Sequence, residues 1–144
     1  MKDRAKQAYM KAAETFAELS YAVRLKVGAI VVKDDRIISI GYNGMPAGWD
    51  NVCEHVVGRS GGKPVLKTKA DVLHAESNAI TKLARSSESG EGATMFITHA
   101  PCIDCAKLIY QSGIKQVYYK ESYRDNDGLD FLEKGAVLIQ QLHI

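Results

Sequence analysis

Two short motifs, His74-Ala75-Glu76 and Pro101-Cys102-Ile103-Asp104-Cys105, constrain what this chain can fold into more than anything else in it. Each reads as the start of a helix, and a strand-like run, Thr94-Met95-Phe96-Ile97-Thr98, lies between them. Cys102 and Cys105, at i and i+3, place both sulfurs on one face within reach of a single ion. Pro101 suits a helix start, and the partial positive charge there favours thiolate over thiol. An imidazole and two thiolates fill three corners of a tetrahedral zinc, and an open fourth corner distinguishes a catalytic zinc from a structural one. Two helix starts must therefore converge on one point beside a strand. Zinc lowers the pKa of a bound water toward ~7. Glu76, two residues from the histidine, is then placed to take that proton without being a ligand.

The other elements fall around this pair. Ala5, Ala8, Tyr9, Ala12, Ala13, Phe16 and Leu19 recur at three- and four-residue steps, which predicts an amphipathic helix over residues 3–19. Residues 27–32 and 37–40 read as two antiparallel strands joined by the polar link Lys33-Asp34-Asp35-Arg36. Residues 44–73 read as irregular, a long connection of the kind that covers a site. Helices are expected at 74–84, 102–111 and 127–134, and strands at 94–98, 115–119 and 136–139. The link between the last two strands is long enough for a parallel crossover. The expected fold is α/β, a three-layer α-β-α arrangement with a five-stranded mixed sheet whose last two strands are parallel.

At 144 residues, without a linker or a shift in composition, residues 1–144 read as a single domain. The N-terminus lacks the apolar stretch of a signal peptide and no run approaches a membrane span, so a cytoplasmic protein is expected. Three cysteines, two of them in CxxC, point to metal or redox use before disulfides. A net charge of +2 without a concentrated basic patch argues against a nucleic-acid surface.

His-x-Glu followed by Pro-Cys-x-x-Cys is the zinc-deaminase signature. Around it stand Val27-Gly28-Ala29, Gly41-Tyr42-Asn43-Gly44-Met45-Pro46, Ser77-Asn78-Ala79-Ile80, Ala106-Lys107, Ser112-Gly113-Ile114-Lys115 and Tyr123-Arg124. With these markers the chain resembles the deoxycytidylate (dCMP) deaminases almost end to end. The resemblance implies a cytidine-deaminase-like fold, one catalytic zinc per chain on His74, Cys102 and Cys105, and Glu76 as proton shuttle to N3 of cytosine and to the leaving ammonia. It implies that dCMP becomes dUMP, which feeds thymidylate synthesis, and that Asn43, Arg24, Ala75, Tyr123 and Arg124 meet the substrate. Arg24 and Arg124 would fork onto phosphate oxygens. Asn43 would face the sugar, although an asparagine before glycine is also an ordinary turn residue; a solvated arginine and a half-buried tyrosine are the plain alternatives for the others. The resemblance further implies a homohexamer activated by dCTP and inhibited by dTTP, with Gly41, Tyr42, Gly44 and Pro46 near the effector and Mg2+ only with a triphosphate.

Free cytidine or deoxycytidine as substrate would leave the two arginines without purpose, and a tRNA or polynucleotide substrate would require a binding surface that the charge does not supply. dCTP or a 5-substituted dCMP stays open. Cys53 and His55 lack the further ligands of a second zinc, and Cys53 reads as a lone thiol in a partly buried place. His99 reads as structural or pocket-lining. Trp49 is assigned no role.

Overall fold

The computed structural model describes all residues, 1–144. Helix α1 (Asp3–Ala17) leads into the hairpin β1 (Gly28–Lys33) and β2 (Arg36–Tyr42). Asp34 and Asp35, with φ of 51° and 58°, make its tight turn. A second hairpin follows, β3 (Glu54–Ser60) and β4 (Lys63–Thr68), then α2 (Ala75–Ala84), β5 (Thr94–His99), α3 (Ile103–Gln111), β6 (Gln116–Glu121), α4 (Asp127–Lys134) and β7 (Leu138–Gln141).

The main sheet has the order β2-β1-β5-β6-β7. β1 is antiparallel to both neighbours, while β5, β6 and β7 run parallel, so the expected parallel pair extends by one strand. Residues of β1, β5 and β6 alternate between its faces, while a bulge in the β1–β2 pairing puts Ile38 and Ile40 on opposite sides. Ile30, Val32, Phe96 and Tyr118 pack with Met10 and Ala13 of α1. Ala29, Val31, Met95, Ile97 and Val117 pack with Ala79 of α2, Ala106 and Ile109 of α3 and Leu132 of α4. One helix on one face and three on the other make the three-layer α-β-α fold.

Two expectations need correction. Residues 44–73 are not irregular throughout: Gly61 and Gly62, with φ of 58° and 79°, close the β3–β4 hairpin. The last strand starts at Leu138 rather than residue 136, because Ala136 takes a left-handed φ of 61° and the Val137 N–H still bonds back to the Leu132 carbonyl. No helix is long and apolar enough to cross a membrane.

Candidate active site

The expected convergence of helix starts is present. His74 is the N-cap of α2 and Cys102 the N-cap of α3, with Cys105 in the first turn of that helix. His74 Nδ1 lies 3.3 Å from Cys105 Sγ and 3.6 Å from Cys102 Sγ. A tetrahedral zinc with bonds of about 2.0–2.3 Å holds its donors about 3.3–3.8 Å apart, so both separations from the imidazole suit the ion. These three side chains are also the one His/Cys/Asp/Glu group in the chain whose donor atoms cluster for metal binding.

The electrostatics prepare the sulfurs unequally. Cys102 is pulled down to about 3, first by the hydrogen bond from the Cys105 thiol and next by His74; its Sγ also accepts the Cys105 backbone N–H at 3.5 Å. Cys105 is pushed up, because its thiol shares a proton with the Cys102 thiolate and is buried. The hydrogen bond with Cys102 raises the His74 imidazole. A cation arriving here meets one ready thiolate and displaces the proton of the other thiol.

Glu76 occupies the first turn of α2 and is only 4% exposed. Burial raises its carboxyl to about 7. A carboxyl poised near neutrality can both take and return a proton, as general acid/base work demands.

The helix starts are seated by close backbone approaches. A Cβ on Gly41 would collide with the Ala75 carbonyl oxygen and lie 2.6 Å from the Ala79 nitrogen. Gly44 and Leu73 exchange two backbone hydrogen bonds of 3.1 and 2.8 Å immediately before His74. Asn78 Nδ2 donates to the Tyr42 carbonyl at 2.8 Å. Gly41, Tyr42 and Gly44 thus all support α2. The Pro46 carbonyl accepts the Trp49 N–H at 3.0 Å. On the other side α4 abuts the start of α3, where a Cβ on Gly128 would meet the Pro101 carbonyl oxygen.

In front of His74, Glu76 and Cys102 opens a cavity of about 600 Å3, and Arg24, Asn43, Ala75, Tyr123 and Arg124 all line it. Asn43 Oδ1 accepts the Val27 N–H at 2.8 Å and its Nδ2 donates to the Leu25 carbonyl at 2.8 Å. The amide retains a second hydrogen and a second lone pair, so it can hold this loop and still face the cavity. The Arg124 guanidinium carbon stands 5.4 Å from the centre of the Tyr123 ring. Half-buried His99 lines the cavity too, its imidazole held below the ordinary value by burial.

Lys67, Thr68 and Ser122 line the cavity as well, and sequence reasoning missed them. For Lys67 and Thr68 the available signal was the Gly61-Gly62 turn, which would have placed both on a strand. Lys67, Arg24 and Arg124 are the cationic side chains of the lining besides the histidines, and Glu76 is its one carboxylate. Cys53 does not line the cavity but is buried behind it against the lining residues Ala22 and Val72, its thiol pushed up by burial. His55 and Trp49 are exposed, and neither lines the cavity.

Three zinc donors at converging helix starts, with a buried carboxyl beside them that coordination does not require, define a zinc-dependent hydrolase. Residues 3–121 match the family described as cytidine and deoxycytidylate deaminase zinc-binding region. A dCMP deaminase from the cyanophage S-TIM5, solved in complex with dCMP and dUMP, is 46% identical and superposes with a TM-score of 0.87 over 99% of both chains. The deoxycytidylate deaminase of Enterobacteria phage T4 is 40% identical, the match covering 70% of this chain and 69% of that one. ComE operon protein 2 of Bacillus subtilis is 35% identical over 96% of this chain and 71% of its own length. The chain belongs to the cytidine and deoxycytidylate deaminase family.

Proposed function

We propose that this enzyme hydrolyses dCMP to dUMP and ammonia. One observation carries the reading: a single cavity has two of the zinc donors, His74 and Cys102, and Glu76 in its wall, and three cationic side chains, Arg24, Lys67 and Arg124, elsewhere in the same lining. A nucleoside monophosphate has the matching polarity, a neutral base at one end and a dianion at the other. The cyanophage enzyme bound to dCMP and dUMP, similar over nearly its whole length, supports the same substrate.

His74, Cys102 and Cys105 would hold zinc, which when bound would supply the Lewis acidity that makes water a nucleophile at neutral pH. Glu76 takes a proton from the attacking water and gives it to N3 of cytosine. It then relays a second proton to the departing amino group, so that water and dCMP leave as dUMP and ammonia. Asn43 orients the sugar, and the Ala75 backbone follows Glu76 in facing the base. Arg24 and Arg124 fix the phosphate, with Tyr123 closing over it. Remote phosphate binding of this kind holds C4 in register with the reacting water.

The product dUMP would serve thymidylate synthesis in the cytoplasm. A hexamer activated by dCTP with Mg2+ and inhibited by dTTP belongs to the same reading. Tyr21, Val23, Val52, Val56 and Val57, all more than half exposed, supply apolar surface for self-association.

Steady-state deamination of dCMP, dCTP, deoxycytidine and CMP by zinc-loaded protein tests the reading. The highest kcat/KM is expected for dCMP. Deoxycytidine turned over as efficiently would overturn it, and a preference for dCTP would move the substrate to the triphosphate.

A further inference from the structure

The β3–β4 hairpin lies outside the main sheet and is exposed along most of its length, yet Lys67 and Thr68 of β4 line the cavity. Glu54 and Thr68 are direct cross-strand partners, so their side chains share a face. Glu54 Oε2 accepts the backbone N–H groups of Val23 and Arg24, at 2.8 and 3.0 Å. Thr68 Oγ1 accepts from Arg24 Nη1 at 3.2 Å. Arg24 is thereby gripped at its main chain and at its guanidinium by one pair of opposed residues. Asn43 secures the following turn through Leu25 and Val27. The segment from residue 23 to 27 is clamped between the hairpin and the end of β2.

The chemistry of the clamp matters as much as its position. Glu54 spends its charge on main-chain N–H groups, and Thr68 is neutral. Arg24 enters none of the ion pairs of the chain. Its guanidinium is aimed without being neutralised, and most of its five N–H donors stay available to an anion. A carboxylate at position 68 would orient the arginine equally well and cancel the charge that a phosphate needs.

We propose that the Glu54–Thr68 pair is a positioning device for Arg24, and that through it the hairpin sets the preference of the enzyme for a phosphorylated over an unphosphorylated nucleoside. This rests on Arg24 as a phosphate partner. Ordering a long exposed side chain before binding removes an entropic cost from substrate association, so the gain falls on KM.

Kinetics of zinc-loaded Thr68→Val, Thr68→Ser and Glu54→Ala on dCMP and deoxycytidine test it. Thr68→Val keeps the shape of the side chain and deletes the acceptor. Loss of a hydrogen bond to a charged group should raise the KM for dCMP about tenfold with kcat little changed, while kcat/KM for deoxycytidine falls less than about twofold. Glu54→Ala should behave alike, and Thr68→Ser should restore the wild-type KM. In an Arg24→Gln background Thr68→Val should cost nothing further. Equal losses on the two substrates, an undiminished effect of Thr68→Val in the Arg24→Gln background, or a failed rescue by serine would overturn the clamp alone. Wild-type protein that favours deoxycytidine would overturn the phosphate role of Arg24, and the clamp with it.

Discussion

Gly41 and Ala75 are in such close backbone contact that no β-carbon fits between them. A Cβ on Gly41 would strike the Ala75 carbonyl oxygen and the Ala79 nitrogen, both on the helix that begins at His74. The glycine sets how near α2 lies to β2, and so where His74 and Glu76 stand relative to the cysteines of α3. Gly41→Ala must push the helix outward, an overpacking that costs about 1–3 kcal/mol. Thermal melting should show a Tm lower by several degrees, and zinc titration a weaker site. A variant with wild-type stability and zinc affinity would show that α2 is not seated by this contact.

Glu76 is buried beside the zinc donors and supplies none of the three ligand atoms. Glu76→Gln keeps its size and removes its proton chemistry. Turnover should fall by about 10^2–10^4, while metal analysis still finds one zinc per chain. Loss of zinc together with activity would mean that the carboxylate holds the metal, against the role assigned to it.

Cys53 shares its small cluster with Ala22 and Val72, and no histidine, cysteine or carboxylate joins it as a further metal donor. Cys53→Ser should therefore leave zinc at one per chain and destabilise by about 1–3 kcal/mol, the cost of a hydroxyl where a thiol was buried. A drop from two zinc ions to one would reveal a second site.

The chemistry of this site was legible because it is local. His74, Glu76, Cys102 and Cys105 sit within two helix starts, and the strand between them fixes which ends can meet. Residues that act through tertiary contact were harder to read. Gly41, expected near an effector through resemblance alone, makes a packing contact that only the approach of α2 reveals. Thr68 and Lys67 were hidden because the β3–β4 strands are exposed and carry their apolar residues in adjacent pairs, Val56-Val57 and Val65-Leu66, without the alternation that half-burial imprints on a sequence. The Gly61-Gly62 turn was the one local signal, and it lay inside a stretch already rich in glycine and charge. Arg24 and Arg124 were recognisable as cations, but their place on one cavity follows from the fold.

His99 offers a pH test that is separable from the metal. Burial holds its imidazole below the ordinary value near 6.5, with Lys120 acting in the same direction and Glu121 opposing. The unfolded chain then binds the proton more readily than the folded one. Stability supplied by the neutral folded imidazole is therefore complete above about pH 6.5 and is lost as the pH falls from there toward the lower folded value. Acid also protonates the zinc ligands, which would destabilise any variant that keeps them. Comparing wild type with His99→Gln at each pH cancels that contribution. The difference in urea midpoint between the two proteins should shift in favour of His99→Gln as the pH is lowered from 7.5 to 5.5, and a difference constant across that range would mean that His99 titrates alike in both states.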